Sequence, residues 1–183
     1  MRWEELFADL EGQLEEAERA EFTAEVAERS RYEHGRLRLV DRLAAGVGAV
    51  LALRVQGVGR LVGRCADAGP DWLLVEEGPR EALVPLAAVL AVAGLDGSSV
   101  PPGGEGPVRA LGLRLVLRRL VRDRAPLIVA LTDGAVLTGT LDRVGADHVE
   151  LAEHLPGELR RPGAVRQRHV LPLAALAVLR PAD

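Results

Sequence analysis

Residues 127–141 read Leu-Ile-Val-Ala-Leu-Thr-Asp-Gly-Ala-Val-Leu-Thr-Gly-Thr-Leu, and Asp147-His148-Val149-Glu150-Leu151 follows after a short break. The opening run is apolar, Asp133-Gly134 supplies a turn, and an apolar pattern then resumes. Gly139 lies inside that second run, where a glycine marks a sharp bend of the strand. The stretch is therefore expected to form a strand, a turn, a bent strand and a third strand.

A step of 76 residues towards the N-terminus finds the same order again. Leu37-Arg38-Leu39-Val40 matches Leu113-Arg114-Leu115-Val116, and Arg42 matches Arg118. Leu61, Gly63, Gly69, Asp71 and Glu77 fall on Leu137, Gly139, Gly145, Asp147 and Glu153, which are turn and strand-end positions. With eleven additional residues between the third and fourth strands, Pro85-Leu86-Ala87-Ala88 then falls on Pro172-Leu173-Ala174-Ala175. A four-letter match means little in a chain rich in Ala and Leu, but matched elements in matched order point to an internal repeat. In the first copy Val50–Val55, Arg60–Ala66, Trp72–Glu76 and Ala82–Val92 read as strands of an antiparallel meander, separated by Gly57, Gly59, Gly69-Pro70-Asp71 and Gly78-Pro79. Leu37, Leu39, Val40 and Leu43 precede them as a short helix that ends near Gly46-Val47-Gly48.

Outside the two copies the texture changes. Residues 2–33 have no proline and a single glycine, Gly12, and they place Trp3, Phe7, Leu10, Leu14 and Ala17 at alternating spacings of four and three. That pattern predicts an amphipathic helix with a narrow apolar stripe, suited to a coiled-coil or helix-hairpin contact or to packing on its own chain. The expected organisation is an acidic helix over 1–34, a helix-plus-barrel unit over 35–95, a Gly/Pro linker over 96–107 and a second helix-plus-barrel unit over 108–183. The expected fold class is α+β, mainly β: an N-terminal α-helix followed by two tandem helix-plus-five-stranded barrels.

Composition bounds the function. The chain has 183 residues, 48% of them hydrophobic and 27% charged, which is ordinary globular composition. No apolar run approaches the roughly 18 residues of a membrane span. The N-terminus lacks the pattern of a secretory signal, so a cytoplasmic location with no membrane partner is expected. All 23 basic residues are arginine, a compositional mark of a GC-rich, actinobacterial genome. A single cysteine, Cys65, excludes an internal disulfide and a cysteine-rich zinc site, and its alignment with Leu141 on a strand makes it a small buried hydrophobe. The net charge of -4 is polarised: residues 1–34 carry eleven acids and four arginines, whereas 108–124 carry six arginines against Asp123 alone.

The 127–141 stretch with its continuation through Leu151 resembles the first motif of Sm-like proteins: an apolar alternating strand, an Asp-Gly turn, a strand containing Gly-x-Leu, and a loop with Asp before the third strand. Other small SH3-like barrels share the pattern, and the chain as a whole resembles actinobacterial proteins. The resemblance implies a helix followed by a strongly bent five-stranded barrel. It also implies RNA binding, although the Asn after the second strand and the Arg-Gly near the fourth that mark RNA-binding members are absent. His148 and Trp72, equivalent in the two copies, fall near the Asn position, where a ring can stack on a base; the alternative is that Trp72 caps its core and His148 is an exposed strand residue.

Catalytic chemistry finds no support. No two of His34, His148, His154 and His169 have zincin spacing, the few serines lack a nucleophile-elbow setting, and a chain without lysine cannot form a P-loop. No enzyme activity, cofactor or metal is expected. The remaining signal is basic: Arg114, Arg118 and Arg122 recur every four residues on one helix face, Arg119 and Arg124 lie nearby, and the loop insertion adds Arg160, Arg161, Arg166 and Arg168. These, with His148 and Trp72, form the candidate surface for RNA or DNA, reading charge more than sequence. The competing expectation is a protein-interaction scaffold that self-associates through the N-terminal helix or the barrel edges, with its arginines occupied by salt bridges.

Overall fold

A computed structural model describes residues 37–99, 110–155 and 165–182, together with scattered helical positions between 16 and 36. The chain divides into two compact units, Met1–Arg38 and Leu39–Asp183. In the first, every described position from 16 to 36 is helical, and the Arg36 guanidinium lies 5.7 Å from the centroid of the Tyr32 ring. The apolar positions expected to form a coiled-coil stripe, Trp3 to Ala17, lie outside the described residues. So do most of the expected linker and Arg160 and Arg161.

The second unit opens with helix α1 (Leu39–Ala45), which buries Leu43 and Ala44 and ends in Gly46 and Gly48, the latter at φ 91°. Five strands follow: β1 (Val50–Val55), β2 (Gly59–Ala68), β3 (Trp72–Glu77), β4 (Arg80–Pro85) and β5 (Val89–Ala93). The apolar run 82–92, expected as one strand, is broken by a 3-10 turn at Leu86–Ala88 immediately after Pro85. Proline has no N–H to continue a ladder, so the strand ends there, and β5 crosses to pair with β1 instead. Helix α2 (Leu113–Asp123) leads into β6 (Pro126–Leu131), β7 (Val136–Val144), β8 (His148–Glu153) and β9 (Gln167–Pro172). A second 3-10 turn at Leu173–Ala175 precedes β10 (Leu176–Pro181).

The ten strands form one antiparallel sheet in the order β5-β1-β2-β3-β4-β10-β6-β7-β8-β9. This overturns the expectation of two separate helix-plus-five-strand barrels behind an N-terminal helix. The two five-stranded halves are fused through β4 and β10, which pair at Leu83 and Leu179. Their cores are shared as well. Trp72 and Leu83 of the first half pack with Leu113, Leu117, Leu127 and Leu176 of the second. Ala130, Ala177 and Val178 of the second half join Leu51, Leu53, Val75 and Val84 of the first. An Arg180–Glu77 ion pair at 2.8 Å, partly buried, also spans the junction. An edge strand presents a row of unpaired amides and carbonyls, and the chain brings β4 and β10 alongside so that each satisfies the other's.

Within the sheet the two halves run in the same strand order and register. Leu53↔Leu61 and Leu51↔Gly63 in the first correspond to Val129↔Leu137 and Leu127↔Gly139 in the second, and bulges at 65/67 and 141/143 occupy the same place. Gly63 and Gly139 are required there, because a Cβ would run into the carbonyls of Glu76 and Ala152 on the adjacent strand. Among the described residues no helix is long and apolar enough to cross a membrane.

Candidate interaction surfaces

Fusing the halves consumes one edge of each and leaves β5 and β9 at the two ends of the sheet, without a further partner strand among the described residues. The equivalences make the contrast direct. β9 matches β4 position for position at a step of 87, yet the end of β4 is buried from Ala82 to Pro85, whereas β9 exposes Val170 and Pro172. Val170 is 67% exposed where its counterpart Leu83 is 7% exposed. In the same way β10 is buried from Leu176 to Leu179, while its counterpart β5 exposes Leu90 and Ala91, with Leu90 at 61%. Each difference has one cause: β4 and β10 cover each other, and among the described residues of this unit no strand pairs with the outer side of β5 or β9. A shallow groove runs along the β5 edge from Leu39 and Arg42 of α1 to Leu95.

The junction also holds α2. The Asp71 carboxylate accepts the N–H of Leu113 at 2.7 Å, and Trp72 Nε1 donates to the Leu111 carbonyl at 2.7 Å. Helix α2 has no side-chain cap of its own, since its N-cap position is Gly112, so Asp71 of the other half satisfies one of its free amides. This burial corrects the expectation that Trp72 can stack on a base: the indole is 4% exposed and committed to the core. His148, its counterpart, is half-buried, and its Nδ1 bonds the Asp147 carboxylate at 2.9 Å. That bond holds the Asp147 carboxyl below the usual carboxylate range.

The arginines do not converge on one site. Arg114, Arg118, Arg119 and Arg122 are exposed along α2; Arg119 pairs with Asp123 at 3.5 Å, and Arg118 and Arg122 have no ion pair among the described residues. Arg168 points elsewhere, into a cleft of about 280 Å³ that it lines with Arg124, Arg143, Asp142 and Glu150, where Arg143 and Glu150 approach to 3.9 Å. Arg166 is exposed at the start of the β9 edge. The other two described histidines are structural: His169 bonds Glu153 at 2.7 Å, and buried His154 lies 2.9 Å from the Thr140 hydroxyl and 3.0 Å from the Leu155 carbonyl. Because only a donor can face that carbonyl, His154 Nδ1 carries the proton and Nε2 accepts from Thr140.

Val170 and Leu90, the most telling residues of the outer edges, were not singled out in the sequence. The signal that finds them is the 87-residue step from β4 to β9 and from β5 to β10, which sets each exposed position beside a buried one. No protein-family model matches the chain, and no curated protein matches it at a significant level.

Proposed function

We propose that the protein is a non-enzymatic scaffold whose copies join head to tail, the β9 edge of one pairing antiparallel with the β5 edge of the next. The observation that carries this reading is the β4–β10 junction, which supplies within the chain a working example of the contact that the two outer edges lack. Pairing would cover Val170 opposite Val92, the counterparts of Leu83 and Leu179. Burying an aliphatic side chain of this size contributes about 1.5–3 kcal/mol, and two or three such residues with a ladder of main-chain bonds offset part of the cost of association. The two edges differ, so the contact is heterologous and generates a ring where the rotation closes or a filament where it does not. The test is sedimentation velocity over a concentration series. Assemblies in multiples of 19.5 kDa are expected for the natural sequence, and a folded monomer for Val170→Arg, which places a charge on the outer edge. A monomer at all concentrations, or assembly indifferent to Val170→Arg, would refute the proposal.

A second reading, binding of RNA or DNA, is favoured by Arg118 and Arg122 standing exposed and unpaired among the described residues on the face of α2 that also carries Arg114. It requires saturable binding of single-stranded RNA or duplex DNA by fluorescence anisotropy, weakening steeply with salt and lost in the Arg114, Arg118 and Arg122 triple alanine variant. No binding at low salt removes it and leaves the scaffold reading alone.

A further inference from the structure

Five charged residues meet at one cleft of the second half. Arg124 stands at the exit of α2, Asp142 and Arg143 at the bulge of β7, Glu150 on β8 and Arg168 on β9, and together they line a space of about 280 Å³. That is just below the roughly 300–1,000 Å³ of ordinary small-molecule sites. The repeat supplies an internal control. Arg143 pairs with Glu150 after the bulge as Asp67 pairs with Leu74, and Arg168 pairs with Ala152 as Glu81 pairs with Glu76. Arg124, at φ 51°, falls on Gly48, at φ 91°. Where the second half has Arg124, Arg143 and Arg168, the first therefore has Gly48, Asp67 and Glu81, and where it has Asp142 and Glu150 the first has Ala66 and Leu74. The first half forms the same strands, register and bulge without any of the five, so the backbone does not ask for them. Nor are the charges spent on one another. Arg143 approaches Glu150 at 3.9 Å with its own side chain 79% exposed, a contact worth little, and the Arg124 and Arg168 guanidinium groups have no ion pair among the described residues. Arg124 keeps its place in a left-handed conformation that glycine adopts freely, and strain of that kind collects at ligand sites.

We infer that this cleft binds a small phosphomonoester, with Arg124, Arg143 and Arg168 holding the phosphate and Asp142 and Glu150 accepting hydroxyl groups of the rest of the molecule. A terminal phosphate carries about two negative charges and offers three acceptor oxygens, which suits guanidinium donors that come from three different elements. A nucleic-acid backbone presents singly charged phosphates in a row, which suits the row of arginines along α2 instead. The two carboxylates repel a second phosphate, so the ligand carries one. No aromatic ring is among the described residues that line the cleft, so a base finds no stacking partner there. The site does not depend on pairing of the β5 and β9 edges, and the inference stands apart from the self-association reading.

Isothermal titration calorimetry of the full chain at constant ionic strength tests the site, with glycerol 3-phosphate, inorganic phosphate and glycerol as probes. Glycerol 3-phosphate is expected to saturate a single site per chain and to bind more tightly than inorganic phosphate, while glycerol gives no heat of binding. Arg143→Asp/Arg168→Glu, which writes in the residues of the first half, is expected to weaken glycerol 3-phosphate by at least about tenfold, or about 1.4 kcal/mol, with the thermal midpoint in chloride unchanged. Arg124→Gly should weaken binding too without destabilising the fold, which gives a second reading should the double change disturb β9. The Arg114, Arg118 and Arg122 triple alanine variant should bind as the natural chain does, and single-stranded RNA without a terminal phosphate should not compete. An absence of saturable binding, or binding indifferent to the arginine changes, overturns the site. Glycerol 3-phosphate binding no tighter than inorganic phosphate overturns the role of the carboxylates, and competition by the RNA assigns the arginines to a nucleic-acid backbone and overturns the small-molecule ligand.

Discussion

Cys65 shows how completely the sheet interior controls a single side chain. It is fully buried on β2, with its thiol 3.8 Å from the Asp67 carbonyl, and burial, reinforced by the Asp67 charge, pushes its pKa from 9.0 up to about 11. A thiolate is disfavoured in that setting, so the folded state holds its proton where the unfolded chain has released it. The stability gained by keeping the thiol neutral is complete below pH 9 and is lost as pH rises towards 11. The chain has no lysine, so few other groups titrate in this window. Denaturant midpoints measured from pH 9 to 11 are expected to fall in the natural sequence and to stay flatter in Cys65→Ala, and a thiol reagent should react at pH 8 only after unfolding. Trp72 carries a complementary lesson. Its chemistry fits stacking on a base, but its position at the junction spends both its apolar area and its one N–H inside the protein.

Helix α2 ends at the one described non-glycine residue with positive φ, Arg124 at 51°. The corresponding position after α1 is Gly48, at φ 91°, so the two halves solve the same left-handed helix exit with different residues. A non-glycine residue pays about 1–2 kcal/mol in that conformation, while glycine costs about 0.4–1 kcal/mol through the greater freedom of the unfolded chain. Arg124→Gly is therefore expected to stabilise the fold by up to about 1 kcal/mol in urea unfolding. A loss of stability would mean that the cleft contacts of the arginine outweigh its strain. At this scale the strands follow the same economy: Pro85 and Pro172 end their strands at equivalent places, and β5 and β10 restart after equivalent 3-10 turns.

At the scale of the whole molecule, one covalent connection decides which contact is permanent. β4 and β10 belong to the same chain, so their pairing is intramolecular and independent of concentration. On the scaffold reading the equivalent contact between β9 and β5 is bimolecular, so the thermal midpoint rises with protein concentration in the natural sequence and not in Val170→Arg. The polarised charge of the chain bears on the same surface. Helix α2 exposes Arg114, Arg118, Arg119 and Arg122, the charge that the nucleic-acid reading needs, while Asp123 already occupies Arg119. Binding of nucleic acid and assembly are thus separable by variants on different elements, α2 for one and β9 for the other.

The periodicities, Gly63, Gly139, the Asp71 and Asp147 turns and the 76-residue step were all legible in the sequence, because strand alternation, turns and tight backbone approaches are local demands on residue type. From them the first three strands of each half and the burial of Cys65 follow, whereas the break of 82–92 after Pro85 and the return of β5 to β1 do not. The fusion of the halves into one sheet was not legible, because β4, β9, β5 and β10 have similar local patterns, and only their placement in space distinguishes an edge that finds a partner from one that does not. The same holds for the candidate site. Trp72 and His148 align in sequence, but the tertiary structure buries one at the junction of the halves and leaves the other half-buried beside Asp147, since pairing depends on which strand the chain can bring alongside and not on the residues of the edge alone.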